Sequence, residues 1–300
     1  MRKKTKTVVI GAGKIAYTIS AALFNSGAPP SAIISRNPRS AEDLAYAFSV
    51  PIHSGSLSSI KKNTNIIILS TPDTEIQRTA KLLSALDLPF EKILFIHLSG
   101  ALSLNLLAPL ERKGALTGSL HIMHTFPNKT PQKIEGLPAA IEYSSPRALK
   151  EMKSLCGLLK IEPFFLEKGK KTLYHIAGVF AANFLNGNLS ASREIAADAG
   201  VNDRLFSALF IRITEKTLAN IKRSGIEHAL SGPVERNDVL TVKEHIKQLR
   251  NLYGRKNKNI LCNYLHQSLL LTEAAEKKNP GINYRALKHL LICEADKIKN

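Results

Sequence analysis

A glycine motif near the start of the chain is the first feature whose residue types and spacing point to chemistry. A β-branched run at residues 7–10 leads into the motif, whose members are Gly11, Ala12, Gly13, Lys14 and Ile15. A strand, a glycine turn and a helix in that order bind a pyrophosphate through backbone N–H groups, because the first glycine permits the turn and the second permits close approach. We therefore predict that these five residues bind a dinucleotide cofactor.

A hydroxyl and a guanidinium follow the next apolar run, at Ser35 and Arg36. Proteins that bind NAD usually carry an acidic residue there, which accepts a hydrogen bond from the ribose 2′-OH. An arginine instead suits the 2′-phosphate of NADP, which it can bind in a bidentate manner. Ser35 and Arg36 therefore favour NADP, with NAD as the alternative if Arg36 is only a solvated turn residue.

Polar side chains also follow the later strand-like runs, at Ser70, Thr71, Ser99 and His121. Ligands of an open α/β sheet bind beyond the carboxyl ends of its strands, so side chains at these positions can reach them. We predict that Ser70 and Thr71 bind the cofactor, that Ser99 contacts cofactor and substrate, and that His121 contacts the substrate. The alternatives are helix N-caps for the hydroxyls and a loop histidine without a partner for His121.

An apolar helical segment in the second half carries Tyr174, His175 and Asn183. His175 and Asn183 lie about 80° apart around an ideal helix. An unpaired polar group in such surroundings costs about 1–3 kcal/mol, so these side chains either bond to neighbouring backbone or face a cleft. We predict that His175 and Asn183 are catalytic and that Tyr174 contacts the substrate.

A glycine–proline turn at residues 230–238 contains Arg236 and Asp238. These two side chains can pair with each other at the surface, where such a pair contributes little to stability. A structural turn does not need so dense a cluster of charges, so we predict that both bind substrate. Arg236 would hold a carboxylate or a phosphate of a small, anionic substrate.

Strand-like and helix-like segments alternate in the first half, and helical patterns alone fill the second. Strands are predicted at residues 7–10, 32–35, 65–70, 92–97, 119–122, 139–141 and 161–166, and helices between them at 41–48, 74–86, 102–112 and 147–159. Later helices are predicted at 173–199, 203–223, 241–252, 259–277 and 284–299, the third with a capping box that begins at Thr241. The predicted fold class is α/β, with a mostly parallel Rossmann sheet at residues 1–168 and an all-helical domain at residues 169–300.

Composition narrows the classes of partner. The net charge is +18, but each predicted domain holds 21 basic and 12 acidic side chains, so no basic arm indicates a nucleic-acid partner. The uncharged segment at residues 172–192 contains a histidine and three asparagines, which favour a buried helix over a membrane span. Three widely spaced cysteines, without metal-binding spacing, and a start that lacks an apolar signal core are typical of a cytoplasmic protein.

Several segments together carry a family resemblance. They are VVIGAGKIA at 8–16, Ser35-Arg36, HLSGAL at 97–102, GSLHIMHTF at 118–126, LYHIAGVFAANF at 173–184 and LSGPVERND at 230–238 with His245. Over nearly its whole length the chain resembles Rossmann-like oxidoreductases with an all-helical C-terminal domain of unknown function. Relatives of that family are ketopantoate reductase, pyrroline-5-carboxylate reductase and 6-phosphogluconate dehydrogenase. The resemblance implies NAD(P) binding, reductase activity, and a helical domain like that of 6-phosphogluconate dehydrogenase which binds substrate and makes a homodimer.

The chain also departs from that family. Ile122 replaces a proline after the histidine, and Asn237 replaces a glycine between Arg236 and Asp238, which is acceptable if Asn237 is left-handed. Hydroxyacid dehydrogenase relatives place a catalytic lysine four residues before the helical asparagine, where this chain has Val179. Chemistry that depends on this lysine is therefore not expected, and His175 is the candidate proton donor.

These features predict an NADPH-dependent reductase of a small carbonyl or imine substrate, with hydride transfer near Ser70 and Ser99. The proton would come from His175 or from a water held by Asn183. The alternative of another class is a non-catalytic NADP(H)-binding or sensing dimer. Hydride exchange with a deazaflavin is a third possibility.

Overall fold

The computed structural model describes residues 5–167, 169–254 and 257–299. It divides into two compact units, Met1–Phe184 and Leu185–Asn300. This division falls after the domain boundary predicted at residue 168. The helix that carries His175 therefore packs with the first unit.

The first unit is built around one eight-stranded sheet. Its strands are β1 (Thr7–Ile10), β2 (Ala32–Ile34), β3 (His53–Ser54), β4 (Ile66–Leu69), β5 (Leu94–His97), β6 (Leu116–Ile122), β7 (Pro138–Tyr143) and β8 (Glu162–Phe165). The spatial order is β3-β2-β1-β4-β5-β6-β7-β8, and every neighbouring pair is parallel except β6 and β7. This arrangement confirms the predicted Rossmann-type, mostly parallel sheet.

Helices cover both faces of that sheet. They are α1 (Lys14–Asn25), α2 (Pro38–Ala47), α3 (Asp73–Ser84), α4 (Ala108–Glu111), α5 (Pro146–Leu159) and α6 (Lys171–Gly178). The four residues of β4 are all buried, and successive residues point to opposite faces: Ile68 packs in the cluster with α1 and α5, and Ile67 in the cluster with α3 and α4. Both faces of the central strands are therefore covered, as their continuous apolar sequence predicts.

Helix α6 continues through a π-helical turn, Val179–Asn183, into α7 (Phe184–Asp198), where the second unit begins. The other helices of this unit are α8 (Asp203–Phe206), α9 (Arg212–Ser224), α10 (Ile226–Ala229), α11 (Val239–Tyr253), α12 (Lys258–Lys278) and α13 (Arg285–Lys299), and a second π-helical turn, Ser207–Ile211, joins α8 to α9. Its core packs α11, α12 and α13 around Tyr253, Leu265 and Tyr284. The described residues of this unit form only helices and connections, as predicted.

Three local predictions are wrong. The predicted helix at 102–112 is a 3-10 turn, Leu104–Leu107, capped by Ser103 and followed by the single turn α4. Strand β3 was not predicted, since two residues are too few to show a pattern. Helix α11 begins at Val239 and not at Thr241, because the Asp238 carboxylate accepts a hydrogen bond from the Thr241 N–H and so caps the helix.

None of the helices in the described parts of the chain combines the length and apolar character that spanning a bilayer would require.

Candidate functional site

A cleft of about 540 Å³ opens at the carboxyl ends of β1, β2 and β4. Seven of the residues predicted to bind the cofactor line it: Gly11, Ala12, Gly13, Ser35, Arg36, Ser70 and Thr71. Lys14 and Ile15 occupy the first turn of α1, where their backbone N–H groups face the glycine turn, and their contacts with the cofactor stay predictions. Parallel strand order has thus brought together residues that lie up to sixty positions apart.

The backbone around Gly11 leaves room for a phosphate group. Gly11 has a φ of 104°, and a β-carbon there would lie 2.5 Å from the carbonyl oxygen of Ser70. No side chain caps α1 at Gly13, so its first N–H groups are open to an anion. The hydroxyls of Ser70 and Thr71 are buried without a hydrogen-bond partner among the described residues. These residues fit the pyrophosphate and amide groups of a dinucleotide.

Arg36 reaches across the same cleft to a carboxylate on α3. Its Nη1 lies 3.1 Å from Glu75 Oε2, and the Arg36 side chain is 71% exposed. A second guanidinium, that of Arg78, lies 3.7 Å from the same oxygen. Arg36, which is predicted to bind the 2′-phosphate, therefore lies in the cleft. It is paired with Glu75, a residue that the sequence did not indicate.

Ser99 is buried and its hydroxyl is already engaged. It donates to Asp73 Oδ2 at 2.8 Å and accepts from the Leu102 N–H at 3.1 Å. These bonds shape the loop after β5 and tie it to the start of α3. The predicted contacts of the Ser99 side chain with cofactor and substrate stay predictions, and the hydroxyl would have to exchange partners to make them.

His121 and His175 meet beside Gly100. The ring centroids of the two histidines are 5.7 Å apart, and the edge of the Tyr174 ring packs at 5.8 Å from His121. A β-carbon at Gly100 would lie 2.6 Å from His121 Nε2 and 2.7 Å from His175 Nδ1. The glycine therefore lets two imidazoles approach the backbone loop after β5. Three residues predicted to act on substrate, from β6 and α6, form one cluster.

The buried nitrogens of this histidine pair are without normal hydrogen bonds. Neither His121 nitrogen, nor Nδ1 of His175, has a partner of good geometry among the described residues. Burial lowers the pKa of His121 to about 4, and the charges of His175 and Lys171 act in the same direction. The nearby backbone of Leu98 acts in the opposite direction and raises this pKa. His121 is therefore a neutral imidazole at pH 7, which can donate one hydrogen bond and accept another.

A buried lysine lies beneath this cluster, and sequence reasoning missed it. Lys171 Nζ donates to Ser119 Oγ at 2.8 Å, to the Leu102 carbonyl at 2.9 Å and to Glu142 Oε2 at 3.0 Å. Burial lowers the pKa of Lys171, and the hydrogen bond to Glu142 opposes that shift. Lys171 joins α6, β6, β7 and the loop after β5, so it positions the elements that carry His121 and His175. The only sequence signal was its place just before the predicted helix, next to Lys170.

His97, at the end of β5, is fully buried. Burial lowers its pKa to about 3, and the charge of Lys171 contributes to the same shift. His97 is neutral in the folded protein at pH 7.

Asn183 closes the π-helical turn and is exposed. The extra residue of that turn breaks the regular helical spacing from which its relation to His175 was predicted. Its catalytic role stays a prediction.

In the second unit, the charges of the turn at residues 230–238 mostly serve the turn itself. Glu235 pairs with Lys278 at 3.0 Å, Asn237 donates to the Asn283 carbonyl at 3.1 Å, and Asp238 caps α11. The hydrogen bonds from Thr241 lower the pKa of Asp238. The cluster therefore has a structural use in this turn, and the substrate contacts predicted for Arg236 and Asp238 stay predictions.

Arg236 is exposed, and it forms no ion pair with any residue that the structure describes. Its charge nevertheless helps to lower the pKa of the neighbouring Glu235 and Asp238 carboxyl groups. Asn237 has a φ of 55°, which confirms the left-handed conformation expected where the family has glycine.

The parallel sheet, the glycine turn and the cleft define a Rossmann-type dinucleotide-binding protein with a helical second unit. Residues 6–94 match the family described as NADP oxidoreductase, coenzyme F420-dependent. Residues 137–265 match a domain of unknown function, DUF2520. These matches confirm the resemblance to Rossmann-like oxidoreductases with a helical domain of unknown function, and the first supports NADP as the cofactor. No curated protein matches the chain.

Solved structures share the fold at low identity. A candidate NADP oxidoreductase from Bacteroides fragilis is 21% identical with a TM-score of 0.75, and the match covers 90% of this chain and 98% of that one. An imine reductase from a Pseudomonas species is 18% identical with a TM-score of 0.62, covering 91% and 98%. A pyrroline-5-carboxylate reductase from Coxiella burnetii is 13% identical with a TM-score of 0.58, covering 90% and 99%.

Proposed function

We propose that this protein uses NADPH to reduce the C=N or C=O bond of a small substrate. The observation that carries the proposal is the pair of imidazoles beside Gly100, whose buried nitrogens have no hydrogen-bond partner among the described residues. Leaving such nitrogens unpaired costs about 1–3 kcal/mol each, and a substrate would satisfy them. The pair lies at the carboxyl ends of β5 and β6, in the unit that holds the NADP cleft. The imine reductase and the pyrroline-5-carboxylate reductase that share the fold support this class of substrate.

Each residue of the pair has a separate proposed role. When bound, NADPH supplies the hydride. His175 donates the proton to the substrate nitrogen or oxygen, since its Nδ1 is buried without a partner at the Gly100 loop. His121, which is neutral at pH 7, holds the substrate by a hydrogen bond, and Tyr174 packs against its ring. The Lys171 network keeps β6, α6 and the loop in register.

We also assign substrate contacts to Asn183 and to the exposed guanidinium of Arg236, which suits an anionic substrate. A homodimer formed through the helical unit is supported by large apolar side chains that this unit exposes, among them Leu209, Ile213 and Leu218. The cytoplasmic location stays a prediction from the three widely spaced cysteines.

The experiment is NADPH oxidation by the full chain against cyclic imines, 2-oxo acids and aldehydes. We expect at least one substrate to turn over, and His175→Gln to lower kcat at least about a hundredfold while the Kd for NADPH stays unchanged. His124→Gln, an exposed histidine of the loop after β6, is the matched control and should keep wild-type kcat.

Other results would favour other functions. Tight NADPH binding without turnover across the panel would overturn the reductase and favour a binding or sensing protein. Absence of the relatives' lysine at Val179 favours this second candidate. Coenzyme F420 belongs in the panel as well, because the matching family is described as dependent on it. If F420 is the only compound of the panel that supports NADPH oxidation, the proposed substrate becomes a deazaflavin and not an imine or carbonyl compound.

A further inference from the structure

An acid stands inside the proposed NADP cleft where a phosphate is expected. Glu75, in the first turn of α3, lines the same cleft as the glycine turn and Arg36. Its side chain is 23% exposed, whereas those of Arg36 and Arg78 are 71% and 68% exposed. Glu75 is thus the most buried of the three charges and fixes the position on which the arginines converge.

One oxygen of Glu75 is shared by both guanidinium groups. Its Oε2 lies 3.1 Å from Arg36 Nη1 and 3.7 Å from Arg78 Nη1. Arg36 comes from the loop after β2, and Arg78 from α3 on the other side of the cleft. Two guanidinium groups from two elements thus converge on one carboxylate oxygen. A phosphate oxygen of a ligand would need the same arrangement.

The charge balance shows what the acid does to a ligand. The arginines carry two positive charges and Glu75 one negative charge, so the three side chains together carry a net charge of +1. A phosphomonoester carries a charge of about −1.5 to −2 at pH 7. Two arginines alone would nearly neutralise it, whereas Glu75 in its present place would repel it. A 2′-OH has no charge and can instead donate a hydrogen bond to a carboxylate.

We propose that Glu75 acts as an internal counter-ion that occupies the place of the 2′-phosphate, and that Arg78 is a second phosphate ligand beside Arg36. This inference rests on the proposed use of NADPH, and it names the residues that set the preference between NADPH and NADH. When NADPH enters, the phosphate takes over both guanidinium groups and the Glu75 carboxylate turns away. Glu75 therefore reduces the preference for NADPH that two arginines would otherwise create.

The test is the Kd of NADPH and of NADH for the full chain, measured by calorimetry. We expect Glu75→Gln to tighten NADPH binding about three- to tenfold and to leave NADH binding unchanged or weaker. We expect Arg78→Ala to weaken NADPH binding about tenfold with little effect on NADH. Both effects should shrink as salt is raised, because the groups are largely exposed.

Two control variants each remove one charge, a cation or an anion, from a helix that borders the cleft. Lys81→Ala removes a cation from α3, and Glu42→Gln removes an anion from α2, and neither residue lines the cleft. Neither should alter the ratio of the two dissociation constants. Combining Arg78→Ala with Glu75→Gln should reduce the gain that Glu75→Gln gives alone, because only one of the two guanidinium groups that Glu75 holds, that of Arg36, is then released.

The outcomes separate this inference from the proposed function. If Glu75→Gln leaves the NADPH to NADH ratio unchanged, or Arg78→Ala weakens both cofactors equally, the counter-ion role is wrong although the enzyme still uses NADPH. If NADPH binds and discriminates as described but no substrate turns over, the reductase proposal fails and this inference stands. A wild-type chain that binds neither dinucleotide overturns both.

Discussion

At Lys171 a buried ammonium group is satisfied by three oxygens, and the stability of the first unit should depend on it. Lys171→Met would leave Glu142 and Ser119 without their cation at a largely buried site. Removing one partner of a buried ion pair costs about 3–5 kcal/mol, and the partial exposure of Glu142 lowers the expected cost to the bottom of this range or below it. We expect a loss of about 2–3 kcal/mol in the free energy of unfolding, measured by urea denaturation.

Lys170→Met supplies the matched control, since that neighbouring lysine is exposed. Adding Glu142→Gln to Lys171→Met should recover part of the loss, because no unpaired charge then remains. If both lysine variants are equally stable, or if the double variant shows simple additivity, the ion pair does not hold the unit together.

A second prediction concerns the pH dependence of stability through His97. Burial lowers the pKa of His97 from its ordinary 6.5 to about 3. The unfolded chain therefore binds a proton below about pH 6.5 that the folded chain refuses, so folding loses stability as the pH falls. The maximum loss for one such histidine is about 1.4 kcal/mol per pH unit.

Urea denaturation between about pH 7 and about pH 5 measures this slope. Relative to His97→Gln, the wild type should lose about 1 kcal/mol per pH unit below about pH 6. His53→Gln, at an exposed position of β3, should lose stability in parallel with the wild type. Parallel curves for the wild type and His97→Gln would show that His97 does not titrate as its burial requires.

Single residues differ in how far sequence could assign them. Gly11, Gly13 and Arg36 lie at fixed distances from a strand end, and strand order then decides where they meet, so the cofactor cleft was predictable. Lys171 and Glu142 gave no such signal, because a charged residue is buried only through contacts that distant elements supply. The sharing of Glu75 by two arginines was unpredictable for the same reason.

At the scale of elements, the loop after β5 must approach α6 and β6 closely enough to hold the histidine pair. Gly100→Ala would place a β-carbon 2.5 Å from His121 Cε1 and 2.7 Å from His175 Nδ1. Both rings can rotate away, so we expect a modest loss of stability, about 1–2 kcal/mol, but a large loss of NADPH-dependent turnover. Proton NMR signals of the two imidazoles should shift at the same time.

Gly157→Ala is the control for this element prediction. Gly157 lies within α5, where an added β-carbon meets nothing within 4 Å. Alanine is the better helix former by up to about 1 kcal/mol, so this variant should be as stable as the wild type or more stable. Unchanged turnover in Gly100→Ala would show that the reaction does not depend on the histidine pair.

The elements themselves were predicted where burial is regular and missed where it is not. Strands β4 and β5 are covered on both faces, so their apolar runs are continuous and unmistakable. The segment at 102–112 has a helical pattern, yet Ser103 caps a 3-10 turn and Pro109 stands at the start of α4. The Ser103 cap and Pro109 determine the structure of this segment, and the spacing of apolar residues alone does not show their effect.

At the scale of the whole molecule, every residue that lines the NADP cleft belongs to the first of the two compact units. A ligand stabilises only the folded unit that binds it, by about 2.7 kcal/mol at a hundredfold excess over Kd. We therefore expect saturating NADPH to slow amide hydrogen exchange in β1, β2, β4 and α3, while α11, α12 and α13 exchange at their original rates.

The same experiment with NADH and with Arg36→Ala tests whether protection follows the cofactor. Arg36→Ala should lose the protection by NADPH at a fixed concentration and keep that by NADH, since only the 2′-phosphate contact is removed. Equal protection of α11 to α13 would show that the two units respond to the cofactor as one cooperative body. In that case the cleft in the first unit would not be sufficient to describe NADPH binding, and the helical unit would have to be counted as part of the cofactor site.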